Sequence, residues 1–152
     1  MNIPTLPYLY CLFRGWFKPR EDANVYWTHV CKCPLKNVKP SDRKRAMNFC
    51  SKAYLKAEIE ATKPLLAVAV GRSTLSYFAR ETGDSRLRTG LVRVFLNQTR
   101  GICEGVRLGS ATFSLAVVPH PSGKSRFWNK PPEEARQAFK RVMQDIERIL
   151  KT

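Results

Sequence analysis

Pro64-Leu65-Leu66-Ala67-Val68-Ala69-Val70-Gly71-Arg72-Ser73 is the stretch on which the fold turns. Leu65–Val70 is wholly apolar. It is far too short to span a bilayer, and it suits a strand buried on both faces. Gly71 ends the run, and Ser73 begins a short helix to about Arg80. A strand, a glycine turn and a helix make the unit from which layered α/β domains are built. Gly71-Arg72-Ser73 itself reads as a plain turn or as an anion-binding helix N-terminus.

Working upstream, Pro34–Pro40 is a loop, and Ser41 is placed to cap a helix to about Ala61. Ala46, Met47, Cys50, Ala53, Tyr54, Ala57 and Ala61 follow the helical period along it. Val25–Val30, VYWTHV, is β-branched and aromatic and predicts a first strand. Residues 1–20 resist assignment, because Pro4 and Pro7 interrupt the apolar positions; a short helix over 7–16 is the expectation there.

Working downstream, Gly83–Gly109 is basic and punctuated by glycine, with short strands expected at Leu91–Leu96 and Val106–Leu108. Phe113–Val118 is another apolar strand, ending in Pro119-His120-Pro121-Ser122-Gly123. A final helix is expected over Pro131–Leu150, opened by proline, Glu133 and Glu134. Ala135, Ala138, Phe139, Val142, Ile146, Ile149 and Leu150 form its apolar stripe. The alternation predicts one α/β domain over residues 1–152 with a small, mainly parallel sheet.

The chain carries 27 Lys+Arg against 12 Asp+Glu, a net charge of +15. That excess points to a polyanion, nucleic acid before an acidic membrane surface. The charge gathers in three places. Lys32, Lys36, Lys39, Arg43, Lys44 and Arg45 form the first cluster; Arg86, Arg88, Arg93, Arg100 and Arg107 form the second. Lys124, Arg126 and Lys130 form the third. The first residues have no basic n-region ahead of an apolar one, so export is not expected. The 5 cysteines are an odd number, which fits a reducing, intracellular setting.

His29 and His120 are the only histidines. Each falls near the C-terminal end of an expected strand, the edge at which parallel sheets bind ligands. After His120, Ser122, Gly123, Lys124, Ser125 and Arg126 offer hydroxyl and backbone donors with positive charge, the chemistry that grips a phosphate. Phe127 and Trp128 add stacking surfaces. In an extended chain His29, Cys31 and Cys33 would share a face, with Cys50 following across the basic loop. These read as structural thiols, as metal or cluster ligands, or as redox thiols; the paired spacing usual for zinc is absent.

Together these motifs resemble the uracil-DNA glycosylase superfamily, in particular its family 4-like branch. Val25–Pro34 looks like the family's VYITNVVKCRP strand, and Phe49–Leu55 like its C-x-x-x-L helix. Lys63–Arg72 looks like the next strand and glycine turn, and His120-Pro121-Ser122 like the H-P-S motif. The resemblance covers residues 20–150 and implies a three-layer α/β/α sandwich that flips a base out of DNA. It implies an intracellular enzyme of DNA repair that hydrolyses an N-glycosidic bond. His120 would then stabilise the departing base, and Ser122 would hold a DNA phosphate.

The departures shape the expectation further. The family's Gly-rich, water-positioning motif has no counterpart before the first strand, and no carboxylate is expected near the catalytic edge. The explanations are a fragment, a second chain supplying the N-terminal part, or a sheet rearranged around residues 1–20. His29 stands where the family has its base-reading Asn, in the base pocket. Cys33 and Cys50 match two of the four iron–sulfur ligands, so no cofactor is assigned. The leading expectation is excision of uracil or another deaminated base. The alternative is a DNA-binding module of the same fold without catalysis.

Overall fold

The computed structural model describes residues 26, 28–90, 102–120 and 133–152. Its elements, in chain order, are α1 (Pro40–Thr62), β1 (Leu66–Val70), α2 (Arg72–Thr82), a 3-10 turn (Ser85–Leu87), β2 (Ile102–Leu108), β3 (Ala111–Val118) and α3 (Glu133–Leu150). The described strands form one sheet in the order β1-β3-β2. β1 runs parallel to β3, from Leu66 opposite Ser114 to Val70 opposite Val118. β2 pairs with β3 antiparallel, so the described sheet is mixed.

β3 is the middle strand, and its alternation divides the core. Phe113, Leu115 and Val117 face a cluster with Leu55 and Ile59 of α1 and Leu75, Tyr77 and Phe78 of α2. Ala116 and Val118 face a second cluster with Ala138, Val142, Met143 and Ile146 of α3. Helices thus cover both faces, giving the three layers that the resemblance implied. β1 is less buried than a strand covered on both faces: of its residues only Ala69 is fully buried. It lies at one side of the described sheet, whereas β3 has a neighbour on each side.

Two details of the helices depart from the sequence expectation. Ser41 is not the cap of α1: the helix opens on Pro40 behind Lys39, with no side-chain cap. Proline tolerates that position because its missing N–H needs no partner. Of the expected stripe Cys50 alone is buried; Ser51, Leu55 and Ile59 complete the buried face of α1 in place of the alanines. Leu55 and Ile59 bring far more apolar area to the core than alanine does, so they set the helix's rotation. In α3, Met143 joins the buried face and Leu150 stays 47% exposed.

The strand expected at Val25–Val30 is not formed by Tyr26 or Thr28–Val30, which are irregular. Val25, Trp27, residues 1–20 and the expected strand at Leu91–Leu96 lie outside the described residues. Side chains, not a strand ladder, hold the 28–33 segment. Thr28 Oγ1 donates to Glu58 Oε2 at 2.8 Å, and Lys32 Nζ lies 2.6 Å from the same oxygen.

The β2–β3 turn shows why one glycine is required. Gly109 has φ +58°, and a methyl group placed there would collide with the Glu60 side chain. Glu60 Oε1 in turn accepts the Ser110 N–H at 2.9 Å, tying the end of α1 to the hairpin. β2 also carries a bulge between Cys103 and Val106, where Gly105 has φ +68°. Beside it the Glu104 carbonyl accepts from both terminal nitrogens of Arg86, and its carboxylate pairs with Arg148 of α3 at 2.7 Å.

Leu115 is fully buried on the middle strand. Leu115→Ala is expected to cost about 3 kcal/mol of unfolding free energy. A urea titration of both proteins measures it; a loss well under 1 kcal/mol would contradict the placement of β3 at the centre.

Candidate nucleic-acid interface

Parallel pairing of β1 and β3 sends both strands out at the same edge. β1 ends at Val70 and continues into Gly71; β3 ends at Val118 and continues into Pro119 and His120. The Gly71 N–H donates to the Val118 carbonyl at 2.8 Å, extending the ladder one step beyond the strands. That bond sets Gly71 directly beside His120.

Glycine is favoured at position 71 on two counts. Its φ of +85° is one that side-chain-bearing residues rarely adopt. A methyl group on it would also lie 3.1 Å from His120 Cβ and 3.6 Å from Cδ2. The absent side chain therefore makes the seat for the imidazole. Gly71 is also the N-cap of α2, whose cap receives no side-chain hydrogen bond. Arg72 and Ser73, the first two residues of α2, are exposed beside it. His120 is exposed while Pro119 before it is buried, so the ring stands at the surface on a well-anchored base. A helix N-terminus with a nearby imidazole favours developing negative charge.

Of the expected site residues, His120 is thus placed at the strand edge. Ser122, Gly123, Lys124, Ser125 and Arg126 lie outside the described residues. His29 is exposed on the irregular 28–33 segment, between the Thr28 contact to Glu58 and the Lys32 contact to Cys50. It is carried along α1 by this segment and not by a strand.

Two of three contacts here have no signature in the sequence, and the third joins two cysteines that the family motif marks. The first is Gly71 as the seat of His120. The second is Glu58: burial raises its pKa, but hydrogen bonds from Lys32 and Thr28 outweigh that and hold it below the usual carboxylate value. The third is a thiol pair. Cys33 Sγ lies 2.9 Å from Cys50 Sγ, and the N–H groups of Lys32 and Cys33 point at the same sulfur at 3.1 and 3.3 Å. Burial raises the Cys50 pKa, yet these donors lower it overall. The hydrogen bond to Cys50 pushes Cys33 up, and burial pushes Cys31 up. Partners separated by 17 or 26 residues leave no local periodicity to find.

The exposed basic residues are dispersed over both helical layers. Lys36, Lys39, Arg43, Lys44 and Arg45 are exposed around the start of α1. Arg136, Lys140 and Arg141 are exposed on α3. No helix among the described residues is long and apolar enough to cross a membrane.

Strand, glycine turn and late H-P-S thus follow in order on an α/β/α frame, with the histidine at the strand edge. The family model for the uracil DNA glycosylase superfamily matches residues 10–147, and the chain belongs to that superfamily. Comparison with curated proteins and with solved structures returned no match. The family match lends no support to a second chain supplying an N-terminal part.

Gly71→Ala is expected to destabilise the fold by more than about 1 kcal/mol, because alanine resists a positive φ. It should also move the His120 ring resonances in a proton–carbon NMR spectrum while leaving those of His29 in place. Unmoved His120 signals would contradict the seat. Glu58 gives a pH prediction. Its depressed pKa contributes stability that is present above the ordinary Glu pKa and is lost as pH falls through the lower folded value. Glu58→Gln should flatten the acid limb of a stability–pH curve below about pH 4.5; an unchanged limb would remove Glu58 from it.

Proposed function

We propose that this chain binds DNA and excises uracil or another deaminated base by flipping it from the stack and hydrolysing its N-glycosidic bond. The observation that carries the reading is His120, seated on Gly71 at the shared end of β1 and β3, in a chain of this superfamily.

The mechanism follows from charge. Cleaving the N-glycosidic bond leaves electrons on the departing base. A donor already aimed at that position stabilises the transition state without reorganising. His120 is the residue assigned to this role, with the start of α2 adding its dipole. His29 is assigned to the base pocket, reading the flipped base by hydrogen bonding. Ser122, Gly123, Lys124, Ser125 and Arg126 are assigned to the phosphate backbone, where hydroxyl, backbone N–H and positive charge converge on one loop. The water-positioning group is left unassigned. The wider basic surface strengthens binding without reading sequence, so affinity should fall steeply as salt rises.

Duplexes containing uracil, hypoxanthine or xanthine, treated with the full chain and then cleaved at abasic sites, test the reaction. His120→Ala should lower product formation by about 100-fold or more, with binding in a gel shift retained. Equal product from the variant overturns the role of His120. Binding that weakens with salt but yields no product from any of these bases overturns catalysis and leaves a DNA-binding module. No binding at low salt overturns both.

A further inference from the structure

Cys33 and Cys50 correspond to two ligands of the iron–sulfur cluster that the family 4 resemblance implies, yet among the described residues no further ligands are grouped with them. A cluster is held by four thiolates. Two thiolates on a single tetrahedral zinc stand about 3.7 Å apart. The sulfurs of Cys33 and Cys50 are closer, at 2.9 Å. Cys31 Sγ lies 3.5 Å from the Cys33 carbonyl oxygen, Cys103 is buried in the sheet core, and Cys11 lies outside the described residues. Among the described residues no group of three or more His, Cys, Asp or Glu is placed to hold a metal ion.

We propose that Cys33 and Cys50 form a reversible dithiol–disulfide couple that fastens the 28–33 segment, and His29 with it, to α1. Access sets the order of reaction in the pair. Cys33 is exposed and open to reagents, whereas Cys50 is 1% exposed and held on a buried helix face. The Lys32 and Cys33 N–H groups keep the Cys50 sulfur turned toward the segment. A disulfide bond is about 2.05 Å long, and the sulfurs stand 2.9 Å apart.

The chemistry balances with hydrogen peroxide as oxidant. Cys33 sulfur attacks one peroxide oxygen, the O–O bond breaks, and a sulfenic acid and one water result. Cys50 sulfur then attacks Cys33 sulfur. The sulfenic hydroxyl leaves and takes the Cys50 thiol proton as a second water. Two thiols are oxidised, one peroxide is reduced, and a dithiol reductant reverses the reaction. The closed form links residues on either side of Lys36, Lys39, Arg43, Lys44 and Arg45. A bond there holds the first basic cluster in one arrangement on α1.

The test is a thiol count and peptide map of the reduced full chain before and after a brief exposure to hydrogen peroxide. Of the 5 cysteine thiols, two are expected to vanish with loss of the mass of two hydrogens, and dithiothreitol should restore both. A single linked peptide should join Cys33 to Cys50. Cys33→Ser, at an exposed position, should abolish the two-thiol loss, and Cys103→Ser should leave it intact. A bridge through other cysteines, oxidation past sulfenic acid without a bridge, or an unchanged count overturns the proposal. So does iron or zinc that copurifies stoichiometrically and is lost from Cys33→Ser.

Discussion

The parallel pairing of β1 with β3 is the constraint on which the rest depends. It places two chain exits, nearly fifty residues apart in sequence, at one edge, and the Gly71 N–H to Val118 bond locks their relative height. Only then does a glycine with positive φ come to lie beneath an imidazole. The helix begun at Gly71 and the histidine that follows β3 are consequences of that one register. A slip of one residue would turn Leu115 and Val117 from the α1–α2 layer to the α3 layer and carry His120 off its seat.

The layers are tied by few polar contacts, each at a bend. Glu60 holds the β2–β3 turn to α1, and Glu104 at the bulge reaches both Arg86 and α3. These carboxylates are scarce in so basic a chain, and structure consumes them: Glu58, Glu60, Glu81, Asp84, Glu104 and Asp145 all meet Lys or Arg. Pairs at the surface contribute little stability singly. Their effect on the field is larger, because each neutralised cation leaves the remaining positive charge to the residues around the start of α1 and along α3.

Much of the frame was legible in sequence because it is written in local patterns. The apolar run Leu66–Val70, the glycine after it, the strand through Phe113–Val118 and the last helix all carry their own periodicity or punctuation. The family motifs added the order of layers. Where the reading failed, a distant partner had overruled a local preference. VYWTHV has strand composition, yet its described residues are clamped to α1 by Thr28, Lys32 and Cys33. The alanine-rich face of α1 has the right period, yet Leu55 and Ile59 win the core by area. At the site, His120 was visible as a motif, but Gly71 as its seat was not. A glycine's function there is the space it leaves, and only the facing side chain reveals it.

The strand order has a consequence for how the chain is made. The middle strand is the last of the described strands to leave the ribosome, so β1 emerges with its partner not yet synthesised. The β2–β3 hairpin is local and closes quickly, whereas β1 must wait for a partner more than forty residues downstream. During that interval Leu66–Val70 is an apolar, unpaired segment of the kind that chaperones bind and that aggregates when they do not. Nascent-chain handling therefore enters the yield of this protein as directly as the stability of its finished core.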